Sequence, residues 1–397
     1  MAKFKYPSVY VEESSNFSFQ ITEKASTVPA FIGYTAITND NGKNLLFQAF
    51  KIQSIIEFDS LFESDENPPQ GHSGFYLRDS VQLFFQNGGT ICYIVPIGNY
   101  DQNPSQIDFN KGLDCLDDSK KITVYLFPDA VLLNEFELGE VQRYALAKCR
   151  EFPNRFCILD MKNIADNQDI YQPIKIFRNH MGTENLKFGA AYTPWLKIPS
   201  TDGLLEIPAS GAIAGIYVKT LSQKGIWKAP ANVSLNGVVD LTYDYSTIDQ
   251  EFLTLDLVQG KSINAIRKFP GRGILVWGAR TLAGNDGEWR YVNMVRFQNH
   301  LIASIKNSLE KVVFEPNDAN LWMTLKVVIE TYLYGYWRNG AFPGRKTEEA
   351  YFIKCGLGST MTSQDLAEGK LIIWIGMATM QPAEFSLFKL EFQMVSD

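Results

Sequence analysis

Histidine is scarce in this 397-residue chain, with three copies at His72, His180 and His300 that stand far apart. Isolated imidazoles argue against a histidine metal triad and against histidine-centred acid–base catalysis, so all three are expected to be structural or solvated; a carboxylate mechanism stays open. Cysteine is nearly as sparse. Cys92, Cys115, Cys149, Cys157 and Cys355 are odd in number and contain no CxxC pair, so zinc sites and disulfide frameworks lack support and buried free thiols are expected. No apolar run approaches roughly 18 residues. The opening MAKFKYPSVYVEE has no apolar signal core and no small-residue cleavage site, which points to synthesis and folding in the cytoplasm without membrane insertion. Long basic blocks are missing too. With a formal charge of −7 and Lys and Arg scattered among acids, nucleic acid is not an expected partner. Internal repeats and low-complexity tracts are absent.

What the chain does have is apolar and aromatic material. Its 45% hydrophobic residues can bury a large core, and its length suits two or three domains. The 27 Phe and 18 Tyr exceed what a core alone needs and favour an oligomer weakly. Residues 28–34 read as a strand and 39–44 as a polar loop. Residues 75–98 read as a helix ending at Asn87-Gly88-Gly89, then a buried strand. Apolar strands at 122–127 and 156–160 flank an amphipathic helix at 135–150, a βαβ unit that implies a partly parallel sheet. Residues 188–230 are dense in Gly, Ala and Pro and suggest close backbone packing and loops. Two helices are expected at 291–313 and 318–339, with Asn317 or Asp318 capping the second and Gly340 ending it. The fold class is therefore α/β, or mixed α+β.

Both chain ends are apolar and extended. Phe4 and Tyr6 share one phase and Val9 and Val11 the other, with Pro7 confining the segment to an edge or terminal position. At the other end Phe385 and Leu387 share one phase, while Phe388, Leu390, Phe392 and Met394 share the second. That slip implies a bulge or a change of packing environment. Either both ends pair within their own sheet, or they add strands to a neighbouring subunit.

Chemical motifs are few. Asp129 and Asp160 sit at the carboxyl ends of two expected parallel strands, where α/β proteins hold ligands, and could together bind magnesium for phosphoryl chemistry. Ordinary turn and capping roles suit them as well, and no third ligand is signalled nearby. Gly260-Lys261-Ser262 resembles the end of a phosphate loop, but Leu255 stands where the first glycine belongs. Gly271-Arg272-Gly273 precedes a strand instead of following one, and Gly356 to Thr360 reads as a turn. Pro208 removes the first glycine of a nucleophile elbow.

Several passages, in order, carry a family likeness: YPSVYVEE (6–13), VPAFIGYT (28–35), YLRDSVQLFFQNGGTICYIVPIG (76–98), YALAKCREFPNRFCILDMK (144–162), FGAAYTPWLKI (188–198) and SGAIAGIYVKTLSQKGIWKAPAN (210–232). The most informative is GRGILVWGARTLAGNDGEWRYVNMVR (271–296), together with FEPND (314–318) and QPAEFSLFKLEF (381–392). With these the chain resembles the tail sheath proteins of contractile phages, tailocins and extracellular contractile injection systems. The resemblance implies a multi-domain structural protein, neither an enzyme nor a cofactor binder. It implies an extended arm at 1–25, a body segment at 26–98, a peripheral α/β domain at 99–265, a core domain at 266–380 and a second arm at 381–397. In such proteins hexameric rings stack into a helical sheath around an inner tube protein, bounded by baseplate and terminal cap proteins, and contraction drives the tube through a target envelope. The sheath is assembled in the bacterial cytoplasm as part of a phage tail or of a particle later released. The arms carry over to Phe4, Tyr6, Val9, Val11, Phe385, Leu387, Leu390 and Phe392. Lys306, Lys311, Lys326, Glu330 and Arg338 become candidates for the tube-facing surface, with a merely solvated face as the plain alternative. The segment GRGILVWGARTLAGNDGEWRYVN (271–293) reads as a hinge-like connection leading into the helices that follow. The rival readings are a non-contractile cap or baseplate component, and a metal-dependent phosphohydrolase using Asp129 and Asp160.

Overall fold

The computed structural model describes residues 20–395 except 41, 64–73, 118, 120, 153, 165–168, 202 and 257, so Phe4, Tyr6, Val9, Val11 and His72 lie outside the described residues. The chain opens with β1 (Pro29–Thr35), the small hairpin β2 (Asn39–Asp40) and β3 (Lys43–Asn44), then β4 (Phe50–Ile52), α1 (Ile55–Phe62), α2 (Leu77–Gln86) and β5 (Cys92–Asn99). Next come α3 (Gln106–Asp114), β6 (Val124–Leu126), α4 (Glu135–Glu151), β7 (Phe156–Asp160), α5 (Tyr171–His180) and β8 (Gly189–Thr193). They are followed by β9 (Leu196–Ser200), β10 (Gly203–Ile207), α6 (Ser210–Lys224), β11 (Val233–Ser234), β12 (Asp240–Leu241), α7 (Thr247–Thr254), β13 (Ile263–Phe269) and β14 (Gly273–Val276). The final part holds α8 (Val292–Ser308), α9 (Ala319–Arg338), β15 (Tyr351–Cys355), α10 (Ser363–Ala367), β16 (Lys370–Met377) and β17 (Ser386–Gln393).

A nine-stranded sheet organises the first part, in the order β11-β14-β13-β8-β7-β6-β1-β5-β4. The run from β13 to β5 is parallel, and antiparallel strands close both ends. A parallel sheet needs apolar cover on both faces. One face packs under Phe109, Leu138, Val141, Ile174 and Leu253 from α3, α4, α5 and α7. The other is covered by Phe58, Val81, Phe84, Ile213 and Val292 from α1, α2, α6 and α8. The sheet draws strands from residues 29–276, so the expected boundaries at 98/99 and 265/266 run through one continuous sheet instead of between separate ones.

The Gly- and Ala-rich stretch expected to be loop-rich contains the 15-residue helix α6. Its small residues let it approach α2 backbone to backbone. A Cβ on Gly211 would stand 2.2 Å from the Ser80 carbonyl oxygen, and one on Gly215 2.5 Å from that of Phe84. Helix propensity is sacrificed there for contact. The segment read as hinge-like, 271–293, includes strand β14 and is held beyond it: Asn264 donates to the Arg280 carbonyl (2.7 Å) and accepts from its amide (2.7 Å), and Leu282 is fully buried.

The last third builds a separate core in which α8 and α9 pack against the antiparallel sheet β15-β16-β17. Asp318 caps α9 through the Leu321 amide, and Gly340 follows it with φ +73°. The expected bulge at Leu387-Phe388 does not form. Register is unbroken from Met377↔Ser386 to Lys370↔Gln393. Ser386, a small polar residue, accepts from Gln298 Nε2 at 3.2 Å and continues the inward phase of Phe388, Leu390, Phe392 and Met394, so Phe385 and Leu387 lie off the buried phase without a bulge. Leu390 and Phe392 are buried in the chain's own core beside β16, Phe385 packs on Phe352 (ring centroids 5.0 Å), and Leu387 points outward, 56% exposed. Within the single chain the carboxyl-terminal segment is therefore a sheet strand and not a free arm. Leu390→Ala is expected to cost the folded chain about 2–5 kcal/mol, as a truncation in a packed core does. Urea denaturation measures it; a change near zero would place Leu390 outside the core.

Candidate assembly surfaces

The strand order reverses beside β1: the chain passes from β1 to β5 on one side, then crosses to β6, β7 and β8 on the other. In open α/β sheets the crevice outside the carboxyl ends at such a switch point is the usual ligand site. Here Asp129, fully buried, fills it. Its carboxylate accepts from the Tyr34 amide at the end of β1 (2.8 Å) and from the Tyr76 (2.5 Å) and Leu77 (3.0 Å) amides at the start of α2. Gly33 is required beneath it, because a Cβ would meet Asp129 Oδ2 at 2.4 Å. Asp160 does the equivalent at the end of β7, accepting from the Ser210 amide that opens α6 at 2.9 Å. Helix N-termini present unpaired amides that attract acceptors, and in this chain side-chain carboxyl groups supply them. The pair expected as possible magnesium ligands is thus spent on two different helices. Among the described residues no group of three His, Cys, Asp or Glu side chains converges.

The other sequence candidates resolve as packing. Lys261 is buried and donates to the Arg178 carbonyl and to Gln259 Oε1 (2.7 Å), so it faces protein and not a phosphate. Thr360 closes the glycine turn by donating to the Ile372 carbonyl at 2.7 Å. His300 is buried within α8 opposite the Tyr336 hydroxyl (3.2 Å), and burial pulls its pKa down to about 4. Cys92, Cys149, Cys157 and Cys355 are buried, but Cys115 is exposed, against expectation.

The five charges proposed for the tube side do not form one cluster. Lys306 is exposed on α8 and lines an open groove of about 420 Å³ with Lys24, Asp117, Glu151 and Glu310. Lys311 is exposed just beyond α8. Lys326 is half-buried beside Cys355, and Glu330 acts on Tyr351, so both lie along the β15 side of α9. Arg338 is exposed at the end of α9. Sequence reasoning missed the apolar surface of the same helix. Met323 (66% exposed), Val327 (56%) and Tyr334 (43%) line one stripe, with Phe314 (75%) before the helix begins. The signal was available: these positions fall off the buried phase set by Leu321, Leu325, Ile329 and Leu333. The three-stranded sheet also ends in two strands, β15 and β17, whose outer edges have no partner strand among the described residues. Such edges are templates for an added strand.

Asp160 yields a pH prediction. Burial raises its pKa to about 7 against the donors of Ser210 and Ala209, which pull it down. The native state therefore favours the protonated carboxyl, so this group's contribution to stability is full below the ordinary carboxylate range and is lost as pH rises through about 7. Asp160→Asn keeps an acceptor for the Ser210 amide without the charge. Its melting temperature should rise relative to wild type between pH 5.5 and 8.5; a difference that stays constant over that range would contradict the assignment.

Comparison with known proteins gives these surfaces a context. Residues 153–282 match the family model of the phage tail sheath protein central domain. No curated protein matches. Among solved structures, the helical sheath of the anti-feeding prophage in the contracted state is 33% identical, with 98% of this chain and 99% of that one covered and a TM-score of 0.76. The contracted PVC sheath complex of an extracellular contractile injection system is 29% identical, with 98% of each chain covered and a TM-score of 0.74. A chain of the anti-feeding prophage baseplate is 32% identical, with 99% of this chain and 100% of that one covered and a TM-score of 0.73. A mixed α/β chain that fills its own strand-end sites, leaves sheet edges open and matches such proteins along nearly its whole length belongs to the contractile tail sheath family.

Proposed function

We propose that this chain is the repeating subunit of a contractile sheath, assembled as stacked six-membered rings around an inner tube and contracting to drive that tube through a target cell envelope. The observation that carries the reading is the likeness to the contracted anti-feeding prophage sheath, 33% identical over 98% of this chain. Contraction in this reading needs no nucleotide. A few kcal/mol of difference between two packings, multiplied over many subunits, drives the change.

The open edges of β15 and β17 are the receiving surfaces for neighbouring strands in this proposal. Residues 1–12, with Phe4, Tyr6, Val9 and Val11, supply the donated strand. At the other end the donor assignment is narrowed. Phe385 and Leu387 remain available for contact, while Leu390 and Phe392 hold β17 in place as part of the acceptor. The tube-facing surface is assigned to the exposed face of α9 that carries Met323, Val327 and Tyr334, with Lys306, Lys311 and Arg338 as separate exposed charges near it on α8 and at the end of α9, and with Lys326 and Glu330 turned toward β15. The subunit assembles in the bacterial cytoplasm with tube, baseplate and cap proteins, as part of a phage tail or a released particle. No helix among the described residues is long and apolar enough to cross a membrane. A second reading, a baseplate-proximal subunit with a sheath fold, draws on the comparable likeness to the baseplate chain.

Negative-stain microscopy after co-expression with the inner tube protein discriminates the readings: long striated cylinders are expected. Particles that never extend beyond a single ring or short cap would favour the baseplate role, and a persistently monomeric chain would overturn both. Deleting residues 1–12 is expected to leave the melting temperature unchanged while abolishing cylinders. Normal cylinders from the shortened chain would refute the donor assignment.

A further inference from the structure

Residues 20–27 run as an extended strap along α8, and the bonds that hold the strap change in character from one end to the other. At the β1 end the anchor is Arg296, a buried cation of α8. Its guanidinium donates to the Ser26 carbonyl (2.9 Å) and to Thr27 Oγ1 (2.5 Å), and lies over the Tyr217 ring of α6 at 4.6 Å. One side chain thereby joins the strap, the helix beneath the nine-stranded sheet and the helix of the last core. Thr27 is itself buried, and the Val28 amide next to it donates to Thr123 Oγ1 at 2.8 Å.

Toward residue 20 the hydrogen bonds become wetter, and the one apolar hold is Ile21, half-buried against the last core. The Lys24 amide donates to Ser304 Oγ at 3.1 Å, and the Thr22 amide to Ser308 Oγ at 2.9 Å. Ser304 and Ser308 are one helical turn apart, and alternate strap amides meet them as rungs. The Tyr336 hydroxyl adds a bond to the Glu23 carboxylate at 2.7 Å, and Asn154 donates to the Ala25 carbonyl at 3.1 Å. Three of these four contacts, those of Thr22, Glu23 and Ala25, are solvent-exposed. An exposed neutral hydrogen bond such as those of Thr22 and Ala25 contributes about 0.5–1.5 kcal/mol net and the solvent-screened bond to the Glu23 carboxylate somewhat more, whereas leaving the Arg296 cation buried without its acceptors costs about 3–5 kcal/mol.

We propose that residues 20–25 are a release length: they peel from α8 when the sheath contracts, and Arg296 is the stop that keeps the peel from reaching β1. An extended chain spans at most ~3.3–3.6 Å per residue, so freeing six residues lets the point where the amino-terminal segment departs move by up to roughly 20 Å while the fold stays intact. In this proposal the strap is docked before contraction and released after it. This inference rests on the contractile-sheath reading.

Hydrogen–deuterium exchange on intact sheaths, before and after contraction, tests it. The amides of Thr22 and Lys24 are expected to exchange roughly tenfold or more faster after contraction, with Val28 equally protected in both states. Equal protection of Thr22 and Lys24 in the two states overturns the release, and loss of protection extending through Val28 overturns the stop at Arg296. The double variant Ser304→Ala/Ser308→Ala, which removes both rungs, is expected to contract at a lower guanidinium concentration than wild type; an unchanged threshold contradicts the proposal. Absence of cylinders from the wild-type chain counts against the sheath reading itself, whereas cylinders with an unmoved strap count against the release alone.

Discussion

A helix that begins inside a protein brings several backbone N–H groups with no helical partner, and leaving them unpaired in a core is costly. This chain begins two helices at the carboxyl edge of its large sheet, and meets the requirement with Asp129 for α2 and Asp160 for α6. Much of the body follows from that solution. Gly33 has to lack a side chain because a carboxylate stands in its place, and α6 reaches its Asp160 cap while lying close enough to α2 to need Gly211 and Gly215. The crevice that other doubly wound sheets offer to a ligand is filled with protein.

The outside is organised around α8. Its first turns pack under the large sheet through Val292 and Val295, and its later residues, Phe297, Leu301 and Ile305, belong to the core shared with α9 and the small sheet. The same helix carries Arg296 and the serines that hold the strap. This helix therefore links the amino-terminal strap and the small sheet to the body, together with Ile226 and Trp227, which pack into the same last core. Among the described residues the small sheet has no partner strand at either edge while burying Leu390 and Phe392 within it, an arrangement that suits an acceptor of strands whose own integrity does not depend on its neighbours. Polymerisation through main-chain pairing can then coexist with side-chain contacts that are exchanged when the lattice changes.

Much of this was legible in the sequence wherever local pattern and tertiary role agree. The strand Phe156–Asp160, the helix beginning at Glu135 and the capped helix after Asp318 all follow from periodicity and from turn chemistry. Where the two disagree, the sequence misled. Residues 210–224 look like loop because their glycines serve a helix contact, and Ser386 hides the inward phase of β17 because its partner is Gln298, 88 residues away. The roles of Asp129 and Asp160 were out of reach for the same reason. Their partners Tyr34, Tyr76 and Ser210 lie 50 to 95 positions distant, and a strand-end acid that binds a metal looks the same in sequence as one that caps a distant helix. The candidate surface was half legible: Lys306 and Arg338 were visible as charges, while the exposed stripe of Met323, Val327 and Tyr334 was overlooked because apolar residues on a helix are first assigned to the core.

The proposed assembly joins subunits by adding backbone to the edges of the β15-β16-β17 sheet that have no partner strand among the described residues. A cryo-electron microscopy reconstruction of assembled cylinders, at a resolution that separates strands, tests it most directly. Such joining predicts main-chain density from a neighbouring subunit hydrogen-bonded along the free edge of β15 or of β17. Edges that face solvent, with subunits touching through side chains alone, would contradict it.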